Sequence, residues 1–319
     1  MTALRFPEIL MSLLPFMRRK AESPAAPSEA TPRFLSGWSI EVMPRTAEKV
    51  EDFRAILPPG TRVYIAHIDG TAIEDMVATA KRIAAQGFDV MPHFPARSIA
   101  DRAMLSDWIA RYQGEAGITE GLILAGGRKD PLGEFQSSMD LLETGLFDHH
   151  GFQRLHLAGH PEGNKDIDPD GSDRMVMEAL RWKQAFAQRT GAKLALATQF
   201  CFDAKPVIAW VDRLQAEGIE LPVHIGIAGP AKLQTLIKFA IACGVGPSLQ
   251  VLQKRAMDVT KLLLPYEPND VVDQLAAHKA ANPSFGIEQV HIFPLGGIST
   301  AATWANNRTG QQPALAVNG

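Results

Sequence analysis

From Trp38 onward a single unit recurs along the chain, and few folds can accommodate it. A short apolar run rich in β-branched residues closes in polar or Gly/Pro residues, and a longer segment with helical spacing follows. Eight such runs read as strands, at 39–43, 63–67, 89–93, 121–125, 154–159, 193–199, 222–227 and 289–293. Between them, 71–85, 99–112, 172–189, 205–217 and 231–243 carry apolar stripes with charged outer faces and read as helices. An additional helix is expected at 250–263, ahead of a last one at 268–280. Near-continuous apolar strands such as Leu194-Ala-Leu-Ala197 imply a parallel sheet buried on both faces. Strict alternation with short connections points the same way. A count of eight favours a closed barrel over an open sheet, and no GxGxxG follows the first strand to argue for a dinucleotide-binding sheet. The expected architecture is α/β: a (β/α)8 barrel over 34–310, an N-terminal extension, one extra helix before the last strand, and a tail at 311–319.

Composition agrees with one large core, since 46% of the 319 residues are hydrophobic and 21% are charged. The net charge of −3 offers no general attraction to nucleic acid or to an anionic membrane, so neither is expected as a partner. The N-terminal residues 6–17 are apolar and precede Arg18, Arg19 and Lys20, the reverse of a secretory signal, and the run is too short to span a bilayer. Residues 21–33, rich in Pro, Ala, Ser and Glu, read as a linker. The apolar segment is expected to pack as a short helix on the barrel or on a second subunit, with interfacial membrane contact or plain disorder as the alternatives, and a homo-oligomer is expected. Cys201 and Cys243 lie in apolar runs with no metal spacing, so both are expected to be buried thiols in a reducing, cytoplasmic compartment.

Barrels of this kind place their chemistry where strands end and βα loops begin. The residues there are Glu41, His67 with Asp69, His93, the 126–130 loop, His160 with Glu162 and Asn164, Gln199, the 226–229 loop and the 294–299 loop. Buried ionisable groups cost several kcal/mol unless paired, so gathering them needs a reason. Glu41 sits in a strand otherwise made of Ile, Val and Met. Desolvation there is expected to raise its pKa and suit it to general acid work, the alternative being an ion pair with an arginine such as Arg45. His67, His93 and His160 lie on different strands and the chain has no HxH or HExxH, so no metal site is expected. Two glycine-rich segments, 124–130 with Arg128 and Lys129, and 293–300, could cradle an anion, although tight βα turns use glycine without any ligand.

Several of these rim segments, in order, resemble the methylenetetrahydrofolate reductase family. Ser39-Ile-Glu-Val-Met-Pro-Arg-Thr46 is similar to its first-strand motif, and Met91-Pro-His-Phe94 to its third-strand histidine motif. Ala158-Gly-His-Pro-Glu-Gly-Asn164 resembles its Tyr-Pro-(Glu/Lys)-x-His segment, and Ala197-Thr-Gln-Phe-Cys-Phe-Asp203 its Thr-Gln-(Phe/Leu)-Phe-Phe motif. The stretch 226–245 follows the family's Gly-Ile-x-Pro run and the helix after it. The resemblance implies a flavin-dependent oxidoreductase that interconverts 5,10-methylene- and 5-methyltetrahydrofolate, with FAD held non-covalently and NADH or NADPH as electron partner. It implies that Glu41 protonates folate N10, opening the ring to an iminium, and that hydride passes at flavin N5. Asp130 is implied as a second catalytic carboxylate, Gln199 as a two-point contact to the pterin, and Phe239 as a surface for the folate. The flavin-contacting positions it implies are His93, Gly126, Gly127, Arg128, His160, Asn164 and Lys183.

The chain departs from the family on the flavin side. The family's Leu-Arg-Gly-Asp loop becomes Ala125-Gly-Gly-Arg-Lys-Asp-Pro131, so either Gly127 replaces the aspartate or an insertion moves it to Asp130, the register preferred here. The second strand ends Ala66-His-Ile-Asp69, His160 stands for Tyr, and Asn164 for His. Changed flavin affinity, potential or electron donor follows from these, as does a reaction run towards methylene-tetrahydrofolate. Two other readings stay open: a flavin-free barrel lyase or transferase acting on a phosphorylated or pterin substrate, and a folate-binding partner of a methyltransferase.

Overall fold

The computed structural model describes residues 29–244, 251–253 and 265–317. Eight parallel strands close into a barrel in sequence order: β1 (Ser39–Val42), β2 (Arg62–Ile65), β3 (Asp89–Pro95), β4 (Glu120–Leu124), β5 (Arg154–Gly159), β6 (Leu194–Cys201), β7 (Val223–Ala228) and β8 (Ile287–Phe293). All eight expected strands are present, with ends displaced by no more than two residues.

Period-two alternation sorts each strand into two faces. Val63 and Ile65, Leu155 and Leu157, Val223 and Ile225, and Val290 and Ile292 face outward into the main apolar layer between sheet and helices. Their neighbours Tyr64, His156, His224 and His291 are equally buried but lie outside that layer, toward the barrel interior. The apolar part of the interior is a small cluster of Tyr64, Met91, Leu122 and Ala197. The interior is therefore a polar filling in place of the Val, Ile and Leu layers usual for this fold.

The outer helices include Ile73–Ala85, Arg102–Ala116, Arg174–Thr190, Ala204–Ala216, Leu233–Ala242, Asn269–Ala281 and Ile298–Thr309. The first six match helices expected from the sequence, whereas Ile298–Thr309, after the last strand, was not among them. The last residues of the linker stretch are helical: Ala30–Leu35 packs beside Asn269–Ala281, where the Thr31 hydroxyl donates to Asp273 at 2.5 Å. Arg308 donates to the same carboxylate, so the chain's entry and its last barrel helix share one anchor. Cys201 is buried as expected, whereas Cys243 is exposed, because it falls one residue past the helix Leu233–Ala242. Of the additional helix expected at 250–263, only 251–253 are described, and these are helical; the N-terminal apolar segment 6–17 lies outside the described residues.

Candidate active site

Three strands bring one carboxylate and two imidazoles together. Glu41 from β1 lies 3.2 Å from His93 Nε2 of β3 and 3.7 Å from His291 Nε2 of β8. Their side chains are 17%, 10% and 2% exposed. Ser39, two residues before Glu41 on the same face, places its Oγ 3.0 Å from His291 Nδ1 and so orients that ring.

Burial on its own pushes the Glu41 carboxyl up, but the His291 and His93 imidazoles beside it outweigh that and hold the group at about 2. The expected upward shift is thus corrected. The sequence showed an apolar strand, and the two rings that reverse the sign arrive from strands far along the chain. Arg45 is exposed, and the partners of Glu41 are histidines. Burial lowers His291 in turn, with Glu41 pulling it back, so the proton these groups share belongs to the cluster.

A second group lies at the end of β5. Lys183, on the helix Arg174–Thr190, is buried and donates to the carbonyl of Ala158 at 2.9 Å. Among the described residues it forms no ion pair, and burial draws it down to about 8. His160 is held at about 4 by burial and then by the Lys183 charge, so it is a neutral imidazole at pH 7. Asn164 turns to its own loop, its Oδ1 accepting from Asp166 N at 2.9 Å. Asp168 is buried beneath that loop and accepts from Met175 N and Val176 N, fixing the start of the Lys183 helix.

The fourth-strand loop is tied to the second. Arg128 Nη1 reaches both oxygens of Asp69, at 2.8 and 3.1 Å, and Arg97 donates to the Arg128 carbonyl at 3.1 Å. Arg128 therefore brings no net charge to the rim. Gly126 has φ +91°, and a Cβ there would meet Pro95 at 2.9 Å, so its glycine answers to backbone geometry. In the 293–300 segment a Cβ on Gly296 would lie 2.1 Å from the Pro230 carbonyl, so close loop packing accounts for that glycine too. Gly127 is exposed with open space around it. Asp130 is exposed, and only its backbone carbonyl is engaged, by Arg128 Nε at 3.3 Å. Nothing among the described contacts joins it to Glu41. His67 stacks on Trp108 with ring centroids 4.8 Å apart and bonds Thr71 through Nε2, leaving its buried Nδ1 without a hydrogen bond.

Gln199 is exposed near the end of β6, where pairing with β7 shifts between Ala197 and Phe200. The Thr198 hydroxyl holds this irregularity, donating to the Gln199 carbonyl and accepting from Gly226 N at 2.8 Å. Phe239 is 36% exposed on the last turn of its helix. Its carbonyl accepts from Cys243 N, and no described contact joins this turn to Glu41.

Four interior residues escaped the sequence reading: Tyr64, His156, His224 and His291. Each is a polar ring between two apolar strand neighbours, and that alternation was the available signal. Burial lowers all three of these histidines below their ordinary 6.5. The unfolded chain takes up protons as the pH falls through 6.5, and the folded chain resists, so stability present above that pH is lost below it. The Glu41 contribution is lost later, between its ordinary 4.5 and about 2. Calorimetry is expected to show the melting temperature falling already between about pH 7 and 5. A flat profile there rules out neutral buried rings. Among the described residues no three His, Cys, Asp or Glu are placed to hold a metal ion, and no helix is long and apolar enough to cross a membrane.

The architecture and the rim cluster define an α/β barrel with a paired carboxylate at its C-terminal end. No family model matches the chain. Among solved structures, a protein from Clostridium thermocellum that binds two copies of 5-methyl-5,6,7,8-tetrahydrofolic acid superposes with a TM-score of 0.54 at 9% identity, over 88% of this chain and 95% of that one. A candidate chitinase A from Streptomyces coelicolor aligns over 88% of this chain and 99% of that one, with a TM-score of 0.43 and 12% identity. The first likeness concerns the fold.

Proposed function

We propose that the barrel binds a reduced folate across its C-terminal rim and exchanges a proton with it through Glu41, as a flavin-dependent oxidoreductase interconverting 5,10-methylene- and 5-methyltetrahydrofolate. The observation that carries this reading is the Glu41 carboxylate held between His93 and His291. A rim carboxylate kept ionised is a base, and its charge also favours a cation forming beside it. In the methyl-oxidising direction, loss of hydride leaves a cationic iminium on the folate, and ring closure by N10 then releases one proton. Glu41 accepts that proton, and the imidazoles spread it over the cluster. In the reverse direction the loaded cluster returns it to N10. In the oxidising direction Glu41 starts ionised, the form that can accept the proton. The exposed Gln199 amide presents a donor and an acceptor suited to a pterin edge, and the half-exposed Phe239 ring an apolar surface. That the Clostridium thermocellum barrel binds a methylated folate supports the ligand class.

The residues beside β5 fit a flavin. Lys183 is a buried cation without an anion of its own, and His160 is a neutral imidazole next to it. Together they suit a ligand with negative and polar atoms. Lys183, His160 and the 126–128 loop would hold it, and when bound it supplies the hydride acceptor at N5. Packing accounts for Gly126 and Gly296, which weakens the motive for the lyase or transferase reading, while Gly127 has open space around it.

Purified protein supplied with FAD is expected to turn yellow, and anaerobic 5-methyltetrahydrofolate to bleach the flavin band. NADH and NADPH can then be compared as reductants in the other direction. Protein that takes up neither FAD nor methyltetrahydrofolate in titration calorimetry sinks the proposal. Lys183→Met should separate binding from folding. Removing an unpaired buried ammonium is expected to raise the melting temperature, while FAD affinity falls by about tenfold. Unchanged FAD affinity would remove Lys183 from the flavin site.

A further inference from the structure

The barrel interior holds a second polar chain that Glu41 does not touch. Tyr64, His156 and His224 are at most 1% exposed. The Tyr64 hydroxyl lies 2.6 Å from His156 Nδ1 and 3.4 Å from His224 Nδ1. His224 Nε2 lies 2.8 Å from Glu288 Oε2. Glu288 is 48% exposed and, near the start of β8, lines a cavity of about 290 Å³ with Arg154 and Lys193 at the N-terminal face. A continuous hydrogen-bonded path thus runs from that surface into the barrel. Midway along it the Tyr64 ring packs on His291, centroids 4.3 Å apart, and His291 faces Glu41.

We propose that Glu288, His224, Tyr64 and His156 form a proton relay between the N-terminal face and the barrel interior, serving the Glu41 cluster from the side opposite the substrate. The service to Glu41 rests on the function proposed above; the relay itself does not. A substrate seated over Glu41 closes the direct route to water, so a back route has a use.

Two proton arrangements satisfy every bond. In the first, His156 Nδ1–H donates to the Tyr64 oxygen, Tyr64 O–H donates to His224 Nδ1, and His224 Nε2–H donates to ionised Glu288. When His156 Nε2 takes a proton from inside, each group passes its own proton one step outward, and Glu288 ends protonated. In this second arrangement every donor points inward: Glu288 to His224 Nε2, His224 Nδ1–H to Tyr64, and Tyr64 to His156 Nδ1. Delivery inward is the exact reverse, with Glu288 reloading from solvent. One proton enters, one leaves, and no ring carries a lasting charge. The Nε2 atom of His156 is buried without a hydrogen bond among the described residues, which leaves the inner end able to give and take the proton.

The neighbouring charges favour neutral rings. Arg62, tied to Glu120 at 2.7 Å, and Arg154, 3.6 Å from Glu288, disfavour a standing imidazolium on His156, as does His291. At His224, Arg62 and His291 act in the same sense and Glu288 opposes them.

The test is nitrogen-15 NMR of the histidine rings in the full-length protein, its Tyr64→Phe and Glu288→Gln variants, and melting curves of all three. Wild-type His156 and His224 are expected to change tautomer together as the pH is lowered from about 7 into the acid range where Glu288, held below its ordinary 4.5 by the His224 bond, takes up its proton. Tyr64→Phe should leave His224 responding, uncouple His156, and slow exchange of its ring proton with deuterium by about tenfold or more. Glu288→Gln, at the surface, should slow both rings, and it carries the test should Tyr64→Phe fail to fold. Rings fixed in one tautomer throughout, or exchange at His156 unchanged in a folded Glu288→Gln protein, overturn the relay. Coupled rings in a protein that never oxidises methyltetrahydrofolate keep the relay and discard the proposed reaction; turnover with uncoupled rings does the reverse.

Discussion

Glu41→Gln is expected to lower methyltetrahydrofolate oxidation by roughly 10²–10⁴-fold, the usual contribution of a positioned acid or base, with the barrel still folded. The amide keeps the size of the side chain and can still meet both imidazoles at its oxygen, yet it cannot accept the N10 proton. It also removes the charge that draws His291 upward, so that ring should titrate lower still in the variant. Two measurements therefore move together, turnover in the spectrophotometer and the His291 ring shift by NMR. Substrate affinity should change far less than turnover, since the proton moves only in the chemical step. Activity within about twofold of wild type would remove Glu41 from the chemistry.

The largest effect on stability is expected at Phe94. Its ring is fully buried and meets Tyr112, Phe147 and Phe152 edge-on, at centroid distances of 5.4, 5.2 and 6.0 Å. Such aromatic pairs add to what burial alone gives. A Cβ built on Gly121 would lie 2.9 Å from the same ring, so the neighbouring strand is shaped around it. Phe94→Ala leaves a cavity that rigid strands and helices cannot fill by collapse, at a cost of about 3–5 kcal/mol. That is a large part of the 5–15 kcal/mol or so by which domains are stable. Urea unfolding measures it directly. A loss below about 1 kcal/mol would mean that the four rings do not pack as one cluster. Because Phe94 follows His93 on β3, the variant should lose activity as well as stability.

The barrel was legible because strand and helix periods alternate eight times, and that pattern is written locally. Glu41, His93, His160 and Lys183 were legible at the level of position, through strand ends and an ordered resemblance. Their electrostatics were not. The sign at Glu41 is set by His291, which nothing near Glu41 in the chain announces. The same holds for Arg128, whose charge looked available until Asp69 from another loop was found to take it up. Tyr64, His156 and His224 were passed over for a different reason. A strand read as apolar on both faces conceals which of its few polar residues face inward, and the closure of the barrel decides that.

That closure is thinnest between the first and last strands. β1 and β8 meet at two register positions, Ser39 with His291 and Ile40 with Ile292, against six between β7 and β8. The first of those positions carries both the ring that clamps Glu41 and the hydroxyl that orients it. During synthesis the carboxylate emerges near the beginning and its clamp near the end, so a chain cut short before β8 carries Glu41 and His93 without His291. The Glu41 cluster is thereby assembled by the same event that completes the barrel, and a chain that stops before β8 lacks one of its two imidazoles.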